Sequence, residues 1–400
     1  MKMTAVTDSA SIRSQLPATE AVAYLNTGTH GPLPSRTHEV MAAAAAAELR
    51  DGRANRQAFV EFRELAAALR GMLAGALGAG QAEIALTRST TEGMNIAIWG
   101  LDWKPGDVVV TTNVEHGGAL IPLYQLHRRY GVSIEFADTA SGEPAEVMAA
   151  MASAIRPGVK LVVLSHVAYG TGAVLPLREI AALAHDRGAL VLVDGAQSVG
   201  ATEVGFHTLG IDFYAFPGQK WLCGPDGTGG LYVSAAAMEL LQPTYVGFGT
   251  VDHEKYRPND QGSFEVIGTA ARYEAGTFYR PAIRGLAASL SWLCEDIGLS
   301  AIYERIRGLR EHCVQRLSEL DGVRLMAPAS ALAGLVAFRH PDLDPAQCVT
   351  YLAEHRVSIR SIPDNGALRF SCGFYNTPDE IDRAAGLVAD LLRAGAMHTP

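Results

Sequence analysis

An acid and a lysine that could share one site lie 26 positions apart near the middle of the chain. A four-residue apolar run, 190–193, predicts a buried parallel strand, and Asp194 and Gln197 follow it. A second apolar run, 213–216, is followed by a Pro-Gly turn and then by Lys220. Ligands of open α/β sheets bind at the carboxyl ends of the strands, so we expect these side chains to converge.

Schiff-base chemistry would use such a set of side chains. A lysine in a mostly apolar stretch has its charged form disfavoured, which makes its amine a usable nucleophile. Pyridoxal phosphate needs a lysine of this kind and an acidic partner for its pyridinium nitrogen. The spacing alone leaves a second interpretation open, in which Asp194 caps a helix and Lys220 lies on the surface.

Composition excludes several other classes of protein. The chain has 400 residues, of which 48% are apolar and 19% charged, and its formal net charge is −9. These values are typical of a globular enzyme, and the basic surface of a nucleic-acid-binding protein is absent. No apolar run is long enough to predict a membrane span, and the start lacks a signal-like apolar stretch. The five cysteines lack disulfide or metal spacing, so we expect a cytoplasmic protein without a metal site.

Strand and helix patterns alternate over residues 80–235 and predict a mostly parallel sheet with helices on both faces, an α/β fold. Residues 1–20 are polar and are expected to be loose, and 245–277 breaks the alternation as functional loops do. Outside these regions we predict helices at 35–50, 56–78, 282–297, 300–320 and 345–355, and strands at 335–339, 357–360 and 368–371.

Two motifs resemble the class V aminotransferase group of fold-type I pyridoxal phosphate-dependent enzymes. They are Asp-Gly-Ala-Gln at 194–197 and Gly-Gln-Lys-Trp-Leu-Cys-Gly-Pro at 218–225. The group includes cysteine desulfurases, cysteine/cystine C–S lyases and isopenicillin N epimerase-like proteins. The resemblance implies pyridoxal 5'-phosphate as cofactor, with Lys220 as the Schiff-base lysine, Asp194 on the pyridine nitrogen and Gln197 on the ring hydroxyl. Gln219 stands where the group usually has histidine, and it can still donate a hydrogen bond to the phosphate.

A phosphate site is implied by the segment Arg-Ser-Thr-Thr-Glu at 88–92, which opens a predicted helix. Ser89, Thr90 and Thr91 match the phosphate loop of the group, and the free N–H groups of a helix N-terminus favour an anion. Thr277, at the end of Arg-Tyr-Glu-Ala-Gly-Thr, matches a threonine that reaches the phosphate of the partner subunit's cofactor. The resemblance therefore implies a homodimer with shared active sites.

Two further residues match positions beside the cofactor ring. His116, in a Glu-His pair, matches the histidine whose imidazole stacks on the pyridine, and such a ring can exchange a proton with the substrate. Tyr169 stands where the group has an asparagine near the ring oxygen, and its hydroxyl can still form a hydrogen bond.

Two arginines are the candidates for binding an amino-acid substrate. Arginine presents a planar pair of donors that suits a carboxylate, and Arg360 and Arg369 lie on adjacent predicted strands. In the resembled group the position of Arg369 binds the substrate carboxylate, and the C–S lyases have an arginine at both positions. The turn-rich segment 24–34 crosses the mouth of the active site in that group, so Asn26, Gly28 and His30 are candidate substrate contacts.

The domain organisation follows from the same resemblance. We expect an N-terminal segment near the active-site mouth at 1–34, a large cofactor-binding domain at 35–281 and a small α+β domain at 282–400.

The segment 361–367 between the two arginines decides among the reactions of the group. Cysteine desulfurases carry a nucleophilic cysteine there, whereas this chain has Ser-Ile-Pro-Asp-Asn-Gly-Ala. Cys348 and Cys372 are expected to be core residues. We therefore predict a lyase that eliminates sulfur from cystine, cysteine or an S-conjugate and yields pyruvate and ammonia.

Alternatives remain open at this point. Desulfurase-like, epimerase-like and aminotransferase activities share the first proton abstraction, and substrate choice would depend on the loop 245–270. A non-enzymatic regulator with this fold is disfavoured, because the lysine, the acid, the histidine and the arginine are all present and no DNA-binding module is attached.

Overall fold

The computed structural model describes residues 8–54, 56–252, 255–256 and 264–396. Its helices are α1 (Ser9–Ser14), α2 (Ala18–Ala21), α3 (Ser35–Asp51), α4 (Arg56–Leu77), α5 (Thr90–Trp99), α6 (Gly117–Tyr130), α7 (Pro144–Ala154), α8 (Leu177–Asp186), α9 (Phe206–Leu209), α10 (Ala235–Met238), α11 (Arg280–Ser291), α12 (Leu299–Ser318), α13 (Pro345–Glu354) and α14 (Pro378–Ala396). Its strands are β1 (Ala23–Tyr24), β2 (Ile84–Thr87), β3 (Val108–Thr112), β4 (Ser133–Ala137), β5 (Val159–Ser165), β6 (Leu190–Asp194), β7 (Phe213–Pro217), β8 (Gly229–Val233), β9 (Arg324–Leu325), β10 (Leu335–Arg339), β11 (Val357–Ser358), β12 (Arg360–Ile362) and β13 (Ala367–Ser371). Two segments discussed above are only partly described. Residues 1–7 of the N-terminal segment and residues 253–254 and 257–263 of the loop 245–277 lie outside the described residues.

The central sheet has seven strands in the order β2-β8-β7-β6-β5-β3-β4. The strands from β7 to β4 are parallel to one another, and β8 runs antiparallel to both of its neighbours. Strands β5, β6 and β7 are almost continuously buried, because helices cover both faces of a parallel sheet. The predicted α/β fold with a mostly parallel sheet is confirmed.

The carboxyl ends of β5, β6 and β7 meet at one edge of this sheet. Ser165, the last residue of β5, is paired with Asp194, the last residue of β6. Asp194 is in turn paired with Ala215 of β7, and Lys220 is the third residue after that strand. The backbone thus brings the acid and the lysine to the same edge, as the apolar runs predicted.

A second sheet carries the two arginines. Its four strands run antiparallel in the order β12-β13-β10-β9, and Arg360 lies directly opposite Arg369. The single strand predicted at 357–360 was wrong. The chain forms two short strands there. Strand β11 pairs with β1 and strand β12 pairs with β13, so the two strands belong to different sheets.

Two other sequence predictions need correction. The N-terminal residues were expected to be loose, but α1 and α2 form there and bury Ile12 and Leu16 in the core, so apolar contacts offset the entropy of ordering them. The helix predicted at 282–297 is α-helical only to Ser291. A wider π-helical turn, Trp292–Ile297, then directs its apolar side chains inward before α12 begins.

Helix α11 contacts α3 and α4 of the large sheet region and leads through the π-helical turn to α12, which contacts β10 of the second sheet. The division at residue 282 stays a prediction, since this helical stretch joins both layers. In the part of the chain that the structure describes, no helix combines the length and the apolarity that crossing a bilayer requires.

A buried ion pair ties α4 to the segment before α11. Arg70 donates to both carboxylate oxygens of Glu274 at 2.8 and 3.0 Å, and the backbone N–H of Leu86 donates to the same carboxylate at 2.9 Å. Burial raises the pKa of Glu274, so removal of its cation would leave a poorly solvated charge.

We expect Arg70→Leu to destabilise the protein by about 3 kcal/mol, because the carboxylate of Glu274 loses its counter-charge inside the protein. The measurement is the urea midpoint of unfolding. Arg50→Leu is the matched control, because Arg50 pairs with Asp51 on the surface and its removal should leave the midpoint unchanged. Equal midpoints for the two variants would contradict a stabilising role for the buried ion pair between Arg70 and Glu274.

Candidate active site

Lys220 lies on the turn that follows β7, beneath the N-terminal segment. The N–H of Gly31 donates to the carbonyl of Gln219 at 2.8 Å, and a Cβ on Gly31 would lie 2.1 Å from the carbonyl oxygen of Lys220. Only glycine permits this approach, which covers the lysine with backbone. Burial lowers the pKa of Lys220 to about 8, with nearby Asp194 acting in the opposite direction.

Asp194 is a buried carboxylate without an ion pair in the described residues. Its side chain accepts one hydrogen bond, from the N–H of Ala196 at 2.9 Å. Burial raises the pKa of Asp194, and the nearby Lys220 and His116 lower it. A buried carboxylate with so few partners is costly unless a cation meets it, and a protonated pyridine nitrogen is such a cation.

A second buried acid, Glu115, lies behind Asp194 and was not singled out from the sequence. Its carboxylate accepts hydrogen bonds from the hydroxyl of Thr112 at 2.5 Å and from the N–H and hydroxyl of Ser165 at 3.0 and 2.6 Å. Burial raises the pKa of Glu115 to about 7. The only sequence signal is its place beside His116, so its link to β5 required the fold.

His116 caps α6 and lines a cavity together with Tyr169 and Arg360. Its Nδ1 accepts a hydrogen bond from the N–H of Gly118 at 3.0 Å, so a neutral imidazole carries its proton on Nε2. Burial lowers the pKa of His116 and favours this neutral form. The ring of Tyr169 packs edge-on against it, with 4.9 Å between ring centroids.

The three residues of the predicted phosphate loop lie at the start of α5. Ser89 caps the helix by accepting from the N–H of Glu92 at 3.1 Å, and Thr90 is buried. Thr91 lines the cavity together with His116, and a Cβ on Gly118 would come within 3.0 Å of its hydroxyl. The first N–H groups of α5 have no partner within the helix, which makes this end suitable for an anion.

Arg369 is buried, and at least three of its five N–H donors have no partner among the described residues. It is 1% exposed, and one Nη donates to the carbonyl of Tyr169 at 2.9 Å. Its Nε and the other Nη are buried without a hydrogen-bond partner. Burial lowers the pKa of Arg369 to about 9, with Arg360 adding to the effect. A buried guanidinium of this kind is suited to a bidentate carboxylate ligand.

Arg360 is only half-buried and is positioned by a residue that the sequence analysis did not select. It donates to the hydroxyl of Thr29 at 3.2 Å, and Thr29 donates to Asn26 at 2.7 Å. Asn26 is therefore placed close to the arginine pair. His30 turns away from it, since its imidazole lies 3.2 Å from the carboxylate of Asp226 and both side chains are exposed.

Gln197 and Gly28 form the floor between the N-terminal segment and the lysine turn. The amide of Gln197 donates to the carbonyl of Gly28 at 2.9 Å and accepts from the indole N–H of Trp221 at 3.0 Å. A Cβ on Gly28 would come within 3.0 Å of both Arg369 and Gln197, so a side chain there would fill the space beside the arginine. One N–H of Gln197 remains for the predicted contact with a ring hydroxyl.

Tyr169 joins the two sheets at the edge of the cavity. Its hydroxyl donates to Asp364, and the side chain of Asn365 donates to the carbonyl of Gly170 at 2.9 Å. Neither Asp364 nor Asn365 was selected from the sequence. Their Pro-Asp-Asn-Gly context predicts a turn, but nothing in it indicates the partner across the cavity.

Thr277 is exposed on the described chain. Its carbonyl accepts a hydrogen bond from Arg88 at 3.2 Å, next to the start of α5, and its hydroxyl has no described partner. Its predicted contact with a partner subunit's cofactor stays a prediction.

The residues present fit pyridoxal phosphate on several observations. Arg369 keeps unpaired buried donors, and the carboxylate of Asp194 forms no ion pair with the described residues. A cavity of about 760 Å³ is lined by His116, Tyr169 and Arg360, a size that suits a cofactor and a small substrate. The described residues contain no cluster of acids, histidines or cysteines that could hold a metal ion.

The lowered pKa of Lys220 generates a pH prediction. Only the unprotonated amine attacks an aldehyde, so the rate of Schiff-base formation between the apoprotein and added pyridoxal phosphate should rise about tenfold per pH unit below the pKa. The rate should level off above pH of about 8. Stopped-flow absorbance measures it, with free lysine as the control. A rate that keeps rising to pH 10, as for an ordinary lysine, would contradict the burial effect.

Comparisons with known proteins agree with this geometry. The family model described as Aminotransferase class-V matches residues 34–384. A probable cysteine desulfurase of Pyrococcus abyssi is 31% identical, over 78% of this chain and 79% of that protein. The isopenicillin N epimerase of Streptomyces clavuligerus is also 31% identical, over 95% of this chain and 98% of its own.

Solved structures extend the likeness to three dimensions. Two structures of C-DES, a cystine C–S lyase, superpose with a TM-score of 0.88 at 31% identity and cover 94% of this chain and 99% of theirs. One has glycine covalently linked to the pyridoxal phosphate cofactor, and the other holds the reaction product cysteine persulfide. The fold and cofactor predicted from the sequence are confirmed, and the chain belongs to the aminotransferase class-V family.

Proposed function

We propose that this chain is a pyridoxal phosphate-dependent C–S lyase, which eliminates sulfur from a cysteine-type L-amino acid and yields pyruvate and ammonia. The observation that carries the proposal is the set of unpaired buried donors on Arg369 in the same site as Lys220 and Asp194. A substrate α-carboxylate would accept hydrogen bonds from the unpaired donors of Arg369. The amino group of the same substrate would then lie near Lys220. The likeness to C-DES supports this substrate class.

Each residue has a role that its surroundings support. The cofactor, when bound, supplies an aldehyde for the substrate amino group and a ring that takes up electrons from Cα. Lys220 holds that aldehyde at rest and, once its Nζ is free, removes the Cα proton, for which a pKa of about 8 is suitable. Asp194 would keep the ring nitrogen protonated, and His116, whose pKa is lowered by burial, would offer a neutral imidazole beside the cofactor. Arg369 orients the substrate through its carboxylate.

The remaining contacts hold the cofactor in place. Ser89, Thr90, Thr91 and Gln219 would bind its phosphate, supported by the free N–H groups at the start of α5 and by the amide N–H groups of Gln219, which can donate. Gln197 would donate to the ring hydroxyl, and Tyr169, whose own ring packs against His116, would help to hold the cofactor. Substrate contacts are assigned to Arg360, Asn26 and Gly28; His30 is the weakest of the predicted set, because its side chain pairs with Asp226.

The fate of the sulfur separates a lyase from a desulfurase. The segment between the two arginines has no cysteine, and Cys348 and Cys372 are both buried. A buried thiol cannot approach the substrate and carry sulfur away. We therefore propose that sulfur leaves as a sulfide or persulfide product.

We propose a homodimer in which the partner covers the open side of the site, and a cytoplasmic location. A second cavity, of about 870 Å³, shares Thr91, Asn95 and Trp99 with the first and opens toward Tyr245. Tyr245 is 70% exposed and Tyr279 is 60% exposed, and large exposed aromatic side chains beside a site are typical of an interface. This arrangement supports a role for Thr277 in the partner's site.

The products test the proposed reaction. We expect purified holoenzyme to convert L-cystine to pyruvate, ammonia and cysteine persulfide, measured with lactate dehydrogenase and by cyanide-dependent thiocyanate formation. Lys220→Ala should abolish pyruvate formation. Persulfide retained on the protein after gel filtration would indicate a desulfurase. D-amino-acid product without pyruvate would indicate an epimerase, the activity named for the relative from Streptomyces clavuligerus, and amino-group transfer to an added 2-oxo acid would indicate an aminotransferase.

Arg369 should contribute more to substrate binding than any exposed arginine. We expect Arg369→Ala to lower kcat/KM for cystine by about 10²- to 10³-fold, because a buried charge-assisted carboxylate contact is lost. Arg339→Ala is the matched control, since Arg339 lies on the neighbouring strand β10 and is exposed. Unchanged kcat/KM in the Arg369 variant with retained cofactor absorbance would overturn its role.

A further inference from the structure

One acidic side chain in the substrate cavity has no role in the chemistry described so far. Asp364 lies in the short turn Pro363–Asn365 between β12 and β13, and its exposed side chain lines the cavity with Arg360, Tyr169 and His116. The side chain of Asn365 donates to the carbonyl of Gly170 at 2.9 Å, which holds this turn against the large sheet region. The position of Asp364 is therefore built into the cavity wall.

The carboxylate of Asp364 has acceptor capacity left over. The hydroxyl of Tyr169 donates one hydrogen bond to it, whereas an ionised carboxylate accepts about four. In the described residues neither Asp364 nor Arg360 forms an ion pair, although both line the same cavity. Asp364 is thus available to a cation that enters with the substrate.

The order of charges from the buried Arg369 out to the cavity indicates which part of the substrate would meet Asp364. Arg369 is buried, Arg360 lies opposite it and half-buried, and Asp364 is exposed beyond them on the same segment. With the α-carboxylate on Arg369 and the α-amine near Lys220, the sulfur substituent extends toward the exposed end. A carboxylate there favours an ammonium group on that substituent.

We propose that Asp364, held by Tyr169, forms a subsite for the ammonium group of the leaving persulfide. The preferred substrates are then disulfides of cysteine, R–S–S–CH₂–CH(NH₃⁺)–CO₂⁻, in which R carries an amine. This inference rests on the proposed function for the reaction, but binding at the subsite does not depend on which reaction follows.

The reaction on such a disulfide balances without an oxidant. A base removes the Cα proton, the Cβ–S bond breaks, and its electron pair leaves on sulfur as R–S–S⁻ while the S–S bond stays intact. One water then converts the three-carbon fragment to pyruvate and ammonium. The amine in R takes no part in these steps, so Asp364 acts on substrate choice alone.

Two substrates that differ in one group test the subsite. The mixed disulfide of cysteine with cysteamine ends in an ammonium, and that with 2-mercaptoethanol ends in a hydroxyl. We expect holoenzyme to bind the first about fivefold more tightly, measured as Kd from the change in cofactor absorbance and as kcat/KM for pyruvate. Asp364→Asn keeps an acceptor for Tyr169 but removes the charge, so the ratio of the two Kd values should fall to about one.

The control for this experiment is the same substitution at an exposed acid elsewhere in the protein. Asp342→Asn changes an exposed acid outside the cavity and should keep the fivefold ratio. Equal Kd values in the unaltered enzyme, or a ratio that Asp364→Asn leaves unchanged, would overturn the subsite. A fivefold Kd ratio that depends on Asp364, with no pyruvate from either disulfide, would support the subsite and overturn the proposed lyase reaction.

Discussion

The burial of charged groups that the protein itself leaves unpaired is the constraint on which this structure depends. Asp194 and Arg369 are buried and Lys220 is half-buried in the same region, and loss of water contact disfavours the charged form of each. A fold normally avoids this cost by pairing such groups or exposing them. Here a bound cofactor and a zwitterionic substrate supply the missing charges, so the energy that folding spends on desolvation is regained when the ligands bind.

The backbone makes this burial possible. The lysine and the acid follow parallel strands that are covered on both faces, and their positions are set by the register of β5, β6 and β7. Glycine at 31 lets the N-terminal segment lie on the lysine turn, and glycine at 195 leaves room for the ring of Tyr214, which a Cβ would meet at 1.9 Å. Close backbone approach at Gly31 and close packing of the Tyr214 ring at Gly195 therefore help to exclude water around the reacting groups.

The sequence predicted the parts of the site that depend on local patterns. Apolar runs placed Asp194 and Lys220 at strand ends, and two short strands placed Arg360 beside Arg369, because strand periodicity and motif spacing are local properties. The hydrogen bonds from Thr29 to Asn26 and from Tyr169 to Asp364 were not predicted, and neither was the orientation of His30. The contacts of Tyr169 with Asp364 and of His30 with Asp226 are between segments that are distant along the chain. They depend on tertiary packing, which a local sequence motif does not predict.

The turn between the two arginines links substrate binding to the joining of the two sheets. Asp364, Asn365 and Arg369 all contact the segment Tyr169–Gly170, and Tyr169 in turn packs against His116. A mobile loop with a sulfur-accepting cysteine could not make these contacts and also move toward the substrate. Segment 361–367 contains no cysteine, and its turn is instead anchored to Gly170 by Asn365, which places the carboxylate of Asp364 in the cavity wall.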